Sequence, residues 1–237
     1  MKDLFSDRLT IRSVLIGLIL IPVNCFWIIQ FEFNRWSFPT YLVPYYNVIF
    51  CLVLLVGVSL LMKRISPAWA LTPSELLVAY LMMCMASSIC SHNMMEILVT
   101  SMGHAFWFST PENEWQNLIL PHLPSWLTVS DKISLLGYYE GETTLYHWTH
   151  VRPWIEPFIW WLLFTMALLG IMLCINVVLR RQWIEKEKLT YPIIQLPLSI
   201  MDPKLHLLHD RSLWFGFCIT GGLTFVNGLA VLYPVLP

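Results

Sequence analysis

The 237 residues are 57% hydrophobic and only 12% charged, with a formal net charge of −1 at pH 7 and a mean hydropathy of +0.63. Soluble domains carry about 25% charged residues, so half that share, with 12 tryptophans besides, excludes an ordinary water-soluble fold and points to a lipid bilayer. No basic cluster interleaved with aromatics points to nucleic acid, and six cysteines, all inside apolar runs without a C-x-x-C pair, indicate neither a disulfide framework nor a zinc knuckle.

About 20 apolar residues are needed to cross a hydrocarbon core as a helix. The first such run, 13–31, reads "SVLIGLILIPVNCFWIIQF" and follows Lys2, Arg8 and Arg12. A signal sequence begins in the same way, but no small-residue cleavage site closes this run, so an uncleaved anchor is expected. The second span, about 43–62, lies within the uncharged stretch Trp36–Met62, and the third covers about 76–96. A polar segment of about 109–152 comes next, broken by Pro111, Pro121 and Pro124 and studded with Trp115, Trp126, Tyr138, Tyr139, Tyr146 and Trp148. It reads as an amphipathic segment at headgroup level or as a lid over a pore. The fourth span is expected at about 158–179, a charged segment at about 180–212, and the fifth span at about 213–233. A lone strand cannot satisfy its backbone in lipid, so all five spans are predicted helices. The fold class is therefore all-α, a polytopic helix bundle without an evident internal repeat. The chain closes on "NGLAVLYPVLP" without a polar tail, which reads as the N-terminal part of a larger protein needing further transmembrane helices.

The basic residues set the orientation. With the N-terminus cytoplasmic, the inner segments hold Lys2, Arg8, Arg12, Lys63, Arg64, Arg180, Arg181, Lys186, Lys188, Lys204 and Arg211, against Arg35, Lys132 and Arg152 outside. That asymmetry satisfies the positive-inside rule. Segment 109–152 is then outside, with Asn117 and Ser134 expected to be accessible there, and segment 180–212 is inside.

Polar residues within the spans are the candidate pathway. In "MMCMASSICSHNMMEILVTSMGH" (82–104), a helix turning about 100° per residue puts Ser88, His92 and Glu96 at about 0°, 40° and 80°. Thr100 continues that stripe, and Ser87 and Gly103 lie on nearby faces. Ionisable groups in spans face a bundle interior or a wet cavity, and His92 and Glu96 at i, i+4 can share a proton. They read equally as a packing histidine and an interfacial acid, because Glu96 falls at the span's outer end. His92, Glu96 and His104 lack the H-E-x-x-H order, and His147-x-x-His150 and His206-x-x-His209 read as surface pairs, so neither metal nor cofactor is expected. Glu156 is expected at a helix N-terminus, opening the fourth span, and Asn176 and Asn227 as interhelical hydrogen-bonding residues. With no G-x-S-x-G, P-loop or dinucleotide fingerprint, no catalytic residue is assigned.

At 178–198, "VLRRQWIEKEKLTYPIIQLPL", Arg180–Arg181 stops an apolar helix. Pro192, Pro197 and Pro203 forbid one long continuation, and 193–201 is too short to cross. It is expected to lie on the interface, fold back on the bundle or form a re-entrant piece, with Glu187 and Tyr191 fixing the turn. The pattern Arg180, Arg181, then Glu187-x-Leu189-x-Tyr191-Pro192, resembles a cytoplasmic junction of the oligopeptide transporter superfamily, whose members carry peptides and metal chelates. Transporters of that class follow the proline with small residues, whereas here Ile193, Ile194 and Gln195 follow. Together with "LTPSELLVAYLMM" (71–83) and "STPENEW" (109–115), the chain resembles an uncharacterised bacterial multipass family, distantly similar to those transporters and without an assigned activity. The resemblance implies a multipass protein of the bacterial inner membrane, part of a secondary transporter for a small organic solute, peptide or chelate, and not an enzyme. A non-transporting scaffold or a membrane-embedded enzyme is the alternative. Expected partners are the lipid bilayer, a small-molecule substrate and further helices, with no nucleic acid.

Overall fold

A computed structural model describes residues 10–35, 37–144 and 146–233 of the chain. The expectations resting on Lys2, Arg8, Trp36 and Pro237 lie outside the described residues. Among those described there are helices and no strands. In chain order the α-helices are α1 (Ile11–Arg35), α2 (Tyr46–Ile65), α3 (Pro73–Cys90), α4 (Ile97–Trp107), α5 (Trp115–Leu118), α6 (Lys132–Tyr139), α7 (Trp148–Arg181), α8 (Pro192–Ile200), α9 (His206–His209) and α10 (Arg211–Leu232). Five stretches are long and apolar enough to cross a membrane: Ile11–Asn34, Tyr46–Ile65, Pro67–Trp107, Trp148–Lys186 and Arg211–Leu232. The five runs expected from sequence recur in order, with different ends.

Those ends have local causes. Pro44 keeps Val43 out of the helical region, and α2 begins only at Tyr46. Thr72 caps α3 reciprocally: its hydroxyl accepts from the Glu75 amide while Glu75 accepts from the Thr72 amide, with Pro73 at the first helical position. This is a capping box of the usual kind. The fourth helix starts ten residues before 158, at Trp148, so Glu156 lies inside α7 rather than at its N-terminus. That removes the capping role expected for Glu156. Pro153 and Pro157 are both accommodated within α7, and one of them is compensated visibly. Pro153 has no N–H to give the Thr149 carbonyl one turn back, and Ser134 Oγ donates to that carbonyl at 3.3 Å instead. Ser134 is thereby buried, contrary to its expected accessibility, whereas Asn117 is exposed.

The described chain divides into two compact units, one formed by residues up to Ser91 with those from Tyr191 onward, the other by His92–Thr190. In the first unit the buried side of α1 runs Ser13, Gly17, Asn24, Ile28, Glu32, a stripe at helical spacing that is small or polar at every position but Ile28. Leu15, Leu18, Ile19, Val23 and Phe26 point outward. Such a polarity, small residues in and large apolar residues out, suits a helix whose other solvent is lipid. Gly17 permits the approach of α3, since a Cβ there would stand 2.5 Å from Met82 Sδ. Val48 and Leu52 of α2, Leu76, Tyr80 and Met83 of α3, and Ile200 and Met201 at the end of α8 form the apolar core. The short segment after Pro192 is thus a nine-residue helix folded against α2, one of the arrangements expected for it.

In the second unit Met102, Val129 and Leu135 form a core flanked by Trp107, Tyr139, Trp154 and Trp161. Segment 109–144 is held to its neighbours by specific bonds. The Val129 amide donates to the Met102 carbonyl at 2.9 Å, and Trp161 Nε1 donates to the Leu127 carbonyl at 3.0 Å. Trp107 stacks on Tyr139 with centroids 5.3 Å apart.

Candidate functional site

The third apolar run is not one straight helix. α3 ends at Cys90, Ser91 is extended (φ −70°, ψ 166°), and His92–Glu96 forms a single π-helical turn before α4. π turns inside helices occur frequently at functional sites. The interruption also separates the three predicted pathway residues. Ser88 belongs to the first unit, and His92 and Glu96 to the second. A projection at a constant angle therefore does not describe the stripe.

Within the second unit His92 and Glu96 do meet. Nδ1 of His92 lies 3.3 Å from Oε2 of Glu96, with side chains 40% and 16% exposed. Glu96 Oε1 is buried without a hydrogen-bond partner among the described residues. One turn on, Thr100 Oγ1 donates to the Glu96 carbonyl at 2.7 Å and lies 3.1 Å from Tyr138 Oη, while Tyr139 Oη donates to the Thr100 carbonyl at 2.8 Å. Two polar contacts thus adjoin at Glu96, the carboxylate meeting His92 and the backbone carbonyl accepting from Thr100, which in turn meets Tyr138. Tyr138 and Tyr139 had no place in the sequence-derived stripe, because α6 reaches α4 only through the tertiary fold. Burial pushes the Tyr139 phenol above its ordinary range, which keeps it a donor.

The first unit holds a second polar cluster, and sequence reasoning missed most of it. Asn24 of α1, Asn47 of α2 and Ser87 of α3 are each 0% exposed. Asn24 Nδ2 donates to Ser87 Oγ at 2.8 Å, and Asn47 Nδ2 donates to Asn24 Oδ1 at 2.8 Å and to Ser87 Oγ at 3.2 Å. Buried amides need partners, and these three helices supply them to one another except at Asn47 Oδ1, which is buried without a partner among the described residues. Ser88 is exposed by contrast, donating to the Cys84 carbonyl at 3.1 Å with Tyr45 Oη 2.8 Å away. The inward serine of this pair is Ser87.

The charged junction has its own internal logic. Arg180 and Arg181 fill the last turn of α7, and Arg181 Nε lies 3.2 Å from Glu185 Oε2 in an exposed pair of little energetic weight. Gln182–Lys186 forms another π turn. Glu187 accepts from Gln182 Nε2 at 3.0 Å. Lys188 adopts a left-handed φ of 50°, and the Leu189 amide closes back on the Trp183 carbonyl at 3.1 Å. A left-handed residue with a back-reaching amide is a standard helix stop, made here without glycine. Glu187 thus ties back to the outgoing helix, while Tyr191 precedes Pro192, the first residue of α8.

Other expected positions resolve locally. Asn176 donates to the Met172 carbonyl of its own helix at 2.8 Å, not across helices, and Asn227 is exposed on α10. His206 Nδ1 sits 2.6 Å from Asp202 Oδ2, and His209 Nδ1 3.1 Å from the Leu205 carbonyl. The Lys204 amide, then His206, hold the Asp202 carboxyl below the usual carboxylate range. Among the described residues no group of three His, Cys, Asp or Glu side chains could hold a metal.

Comparison with curated proteins and with solved structures finds no match. A family model, in contrast, matches residues 5–237, nearly the whole sequence, and the chain therefore belongs to the family of unknown function DUF6785.

Proposed function

We propose that this protein is an inner-membrane component of a bacterial secondary transporter, moving a small organic solute, peptide or metal chelate, with its N-terminus cytoplasmic and segment 109–152 outside. The reading is one of transport rather than catalysis. The observation that carries it is the His92–Glu96 pair on a π turn inside an apolar stretch. Ionisable groups within apolar spans are costly and mark ion or substrate pathways. Glu96 Oε1, buried and unpartnered among the described residues, is open to a proton or to a donor on a substrate, and the Thr100 and Tyr138 hydroxyls lie one turn on, joined to the Glu96 backbone carbonyl. The likeness of Glu187-x-Leu189-x-Tyr191-Pro192 to a junction of oligopeptide transporters supports the same reading.

The test is uptake by inner-membrane vesicles from cells expressing the protein with its native partners, under an imposed pH gradient and screened with labelled dipeptides and iron chelates. Glu96→Gln should abolish pH-driven uptake with expression intact, and His92→Ala should shift its pH dependence. Full uptake with an unchanged pH profile in both variants would remove the proposal. The second reading, a non-transporting scaffold, draws on the Asn24–Asn47–Ser87 network, which ties three helices together without using an ionisable group. It predicts that Asn47→Leu disturbs assembly while Glu96→Gln changes nothing.

A further inference from the structure

The first unit contains a cavity of about 250 Å³ where the end of α2, the entry to α3 and the turn after α8 converge. Its walls include Leu60, Leu76, Met201 and Leu205, and its charged lining residues are Lys63 and Asp202. Lys63 stands in the last turn of α2, which on the membrane reading proposed above lies at the boundary between hydrocarbon and water. Among the described residues Lys63 makes no ion pair, so its ammonium is available. Each oxygen of Asp202 is engaged once: Oδ1 accepts the Lys204 amide at 3.0 Å and Oδ2 meets His206 Nδ1 at 2.6 Å. An ionised carboxylate offers about four acceptor sites, leaving room for a further donor. The volume falls below the roughly 300–1,000 Å³ of drug-sized ligand sites. It suits a headgroup whose apolar remainder extends along the surface.

A cation and an anion beside one apolar cavity at that depth are complementary to a zwitterion with its own anion, cation and apolar tail. We propose that this cavity binds the headgroup of an aminophospholipid, with its phosphate on Lys63 and its primary ammonium on Asp202. The primary ammonium matters. A quaternary ammonium has no N–H to donate to Asp202, and a glycerol headgroup has no positive charge to place there. The inference rests on the membrane reading but not on transport.

Native mass spectrometry of the full chain, exchanged into equimolar dioleoyl phosphatidylethanolamine, phosphatidylcholine and phosphatidylglycerol, reads the selectivity directly. The wild type should retain phosphatidylethanolamine about tenfold over the other two, the scale of one charge-assisted hydrogen bond. Asp202→Asn should abolish preference over phosphatidylcholine while Asp202→Glu keeps it. Lys63→Gln should lower retention about tenfold and Lys63→Arg restore it. Equal retention of the three lipids by the wild type, or undiminished selectivity in Asp202→Asn, would overturn the site. Displacement of the lipid by free phosphoethanolamine at equal concentration would overturn the lipid as occupant in favour of a soluble zwitterion. Carbonate extraction keeps the two readings apart. A chain that stays in the membrane pellet without selectivity loses only the headgroup site, whereas one that is extracted loses the membrane reading too.

Discussion

A carbonyl abandoned by a proline is costly only if nothing else reaches it. Ser134 reaches the Thr149 carbonyl that Pro153 leaves, so Ser134→Ala should destabilise the second unit by about 1–3 kcal/mol, the cost of an orphaned buried polar group. Ser134→Thr should retain most of the stability, and thermal unfolding in detergent compares the two. Gly103 makes a different demand, because a Cβ there would stand 2.2 Å from Leu135 Cδ2 in a core where Leu135 is fully buried. Gly103→Ala is expected to cost about 1–3 kcal/mol through overpacking, a loss that Leu135→Val should partly reverse. Asp202 sets a pH response. Its carboxyl is held below the usual range, so its stabilisation of the 202–206 turn is complete above the ordinary carboxylate pKa near 4. It is lost as pH falls through the lowered folded value. The Lys204 amide resonance should hold its position from neutral pH down to about that value and move only below it; Asp202→Asn should remove the transition.

Helices are joined here by a few polar contacts set among small residues. On the proposed membrane reading the surroundings are as apolar as leucine, so hydrophobicity alone would not hold α1, α2 and α3 together, and interhelical hydrogen bonds with close packing supply specificity. Asn24, Asn47 and Ser87 provide the bonds, and Gly17 the close approach. Interhelical side-chain bonds of this kind are worth about 0.6 kcal/mol on average and up to about 1.7. A double-mutant cycle of Asn24→Ala and Asn47→Ala should show coupling in that range; additive effects would mean that the amides act separately. The π turn at His92–Glu96 belongs to the same scale. Its residues are an unremarkable helical run in sequence, since i→i+4 and i→i+5 bonding place no distinct demand on residue type.

For the whole molecule, the testable statement is topology. In a background lacking the six cysteines, single cysteines at Asn117 and Glu142, both exposed, should react with an impermeant maleimide from outside the cell. A cysteine at Lys186, exposed in the charged junction, should react only after the membrane is opened. The reverse pattern would invert the proposed orientation. Ser134 is a poor reporter because its burial would suppress labelling from either side.

Sequence alone determined the number and order of the apolar runs and the closing of α7 by Arg180–Arg181, because hydropathy and charge are local quantities and a crossing helix satisfies its own backbone. It made His92 and Glu96 a candidate pair, since a separation of four residues brings side chains together in helical backbone, and the fold joins them on a π turn. The tertiary structure alone decided the rest. It chose Ser87 over Ser88 as the inward serine and brought Asn24 and Asn47 to it, pairings separated by 63 and 40 residues. It replaced the expected cap at Glu156 by a helix reaching back to Trp148, because Ser134, from another helix, can take up the carbonyl that Pro153 frees. Contacts between residues far apart in the chain leave no periodic mark on either partner's local sequence, and it is those contacts that place the polar atoms.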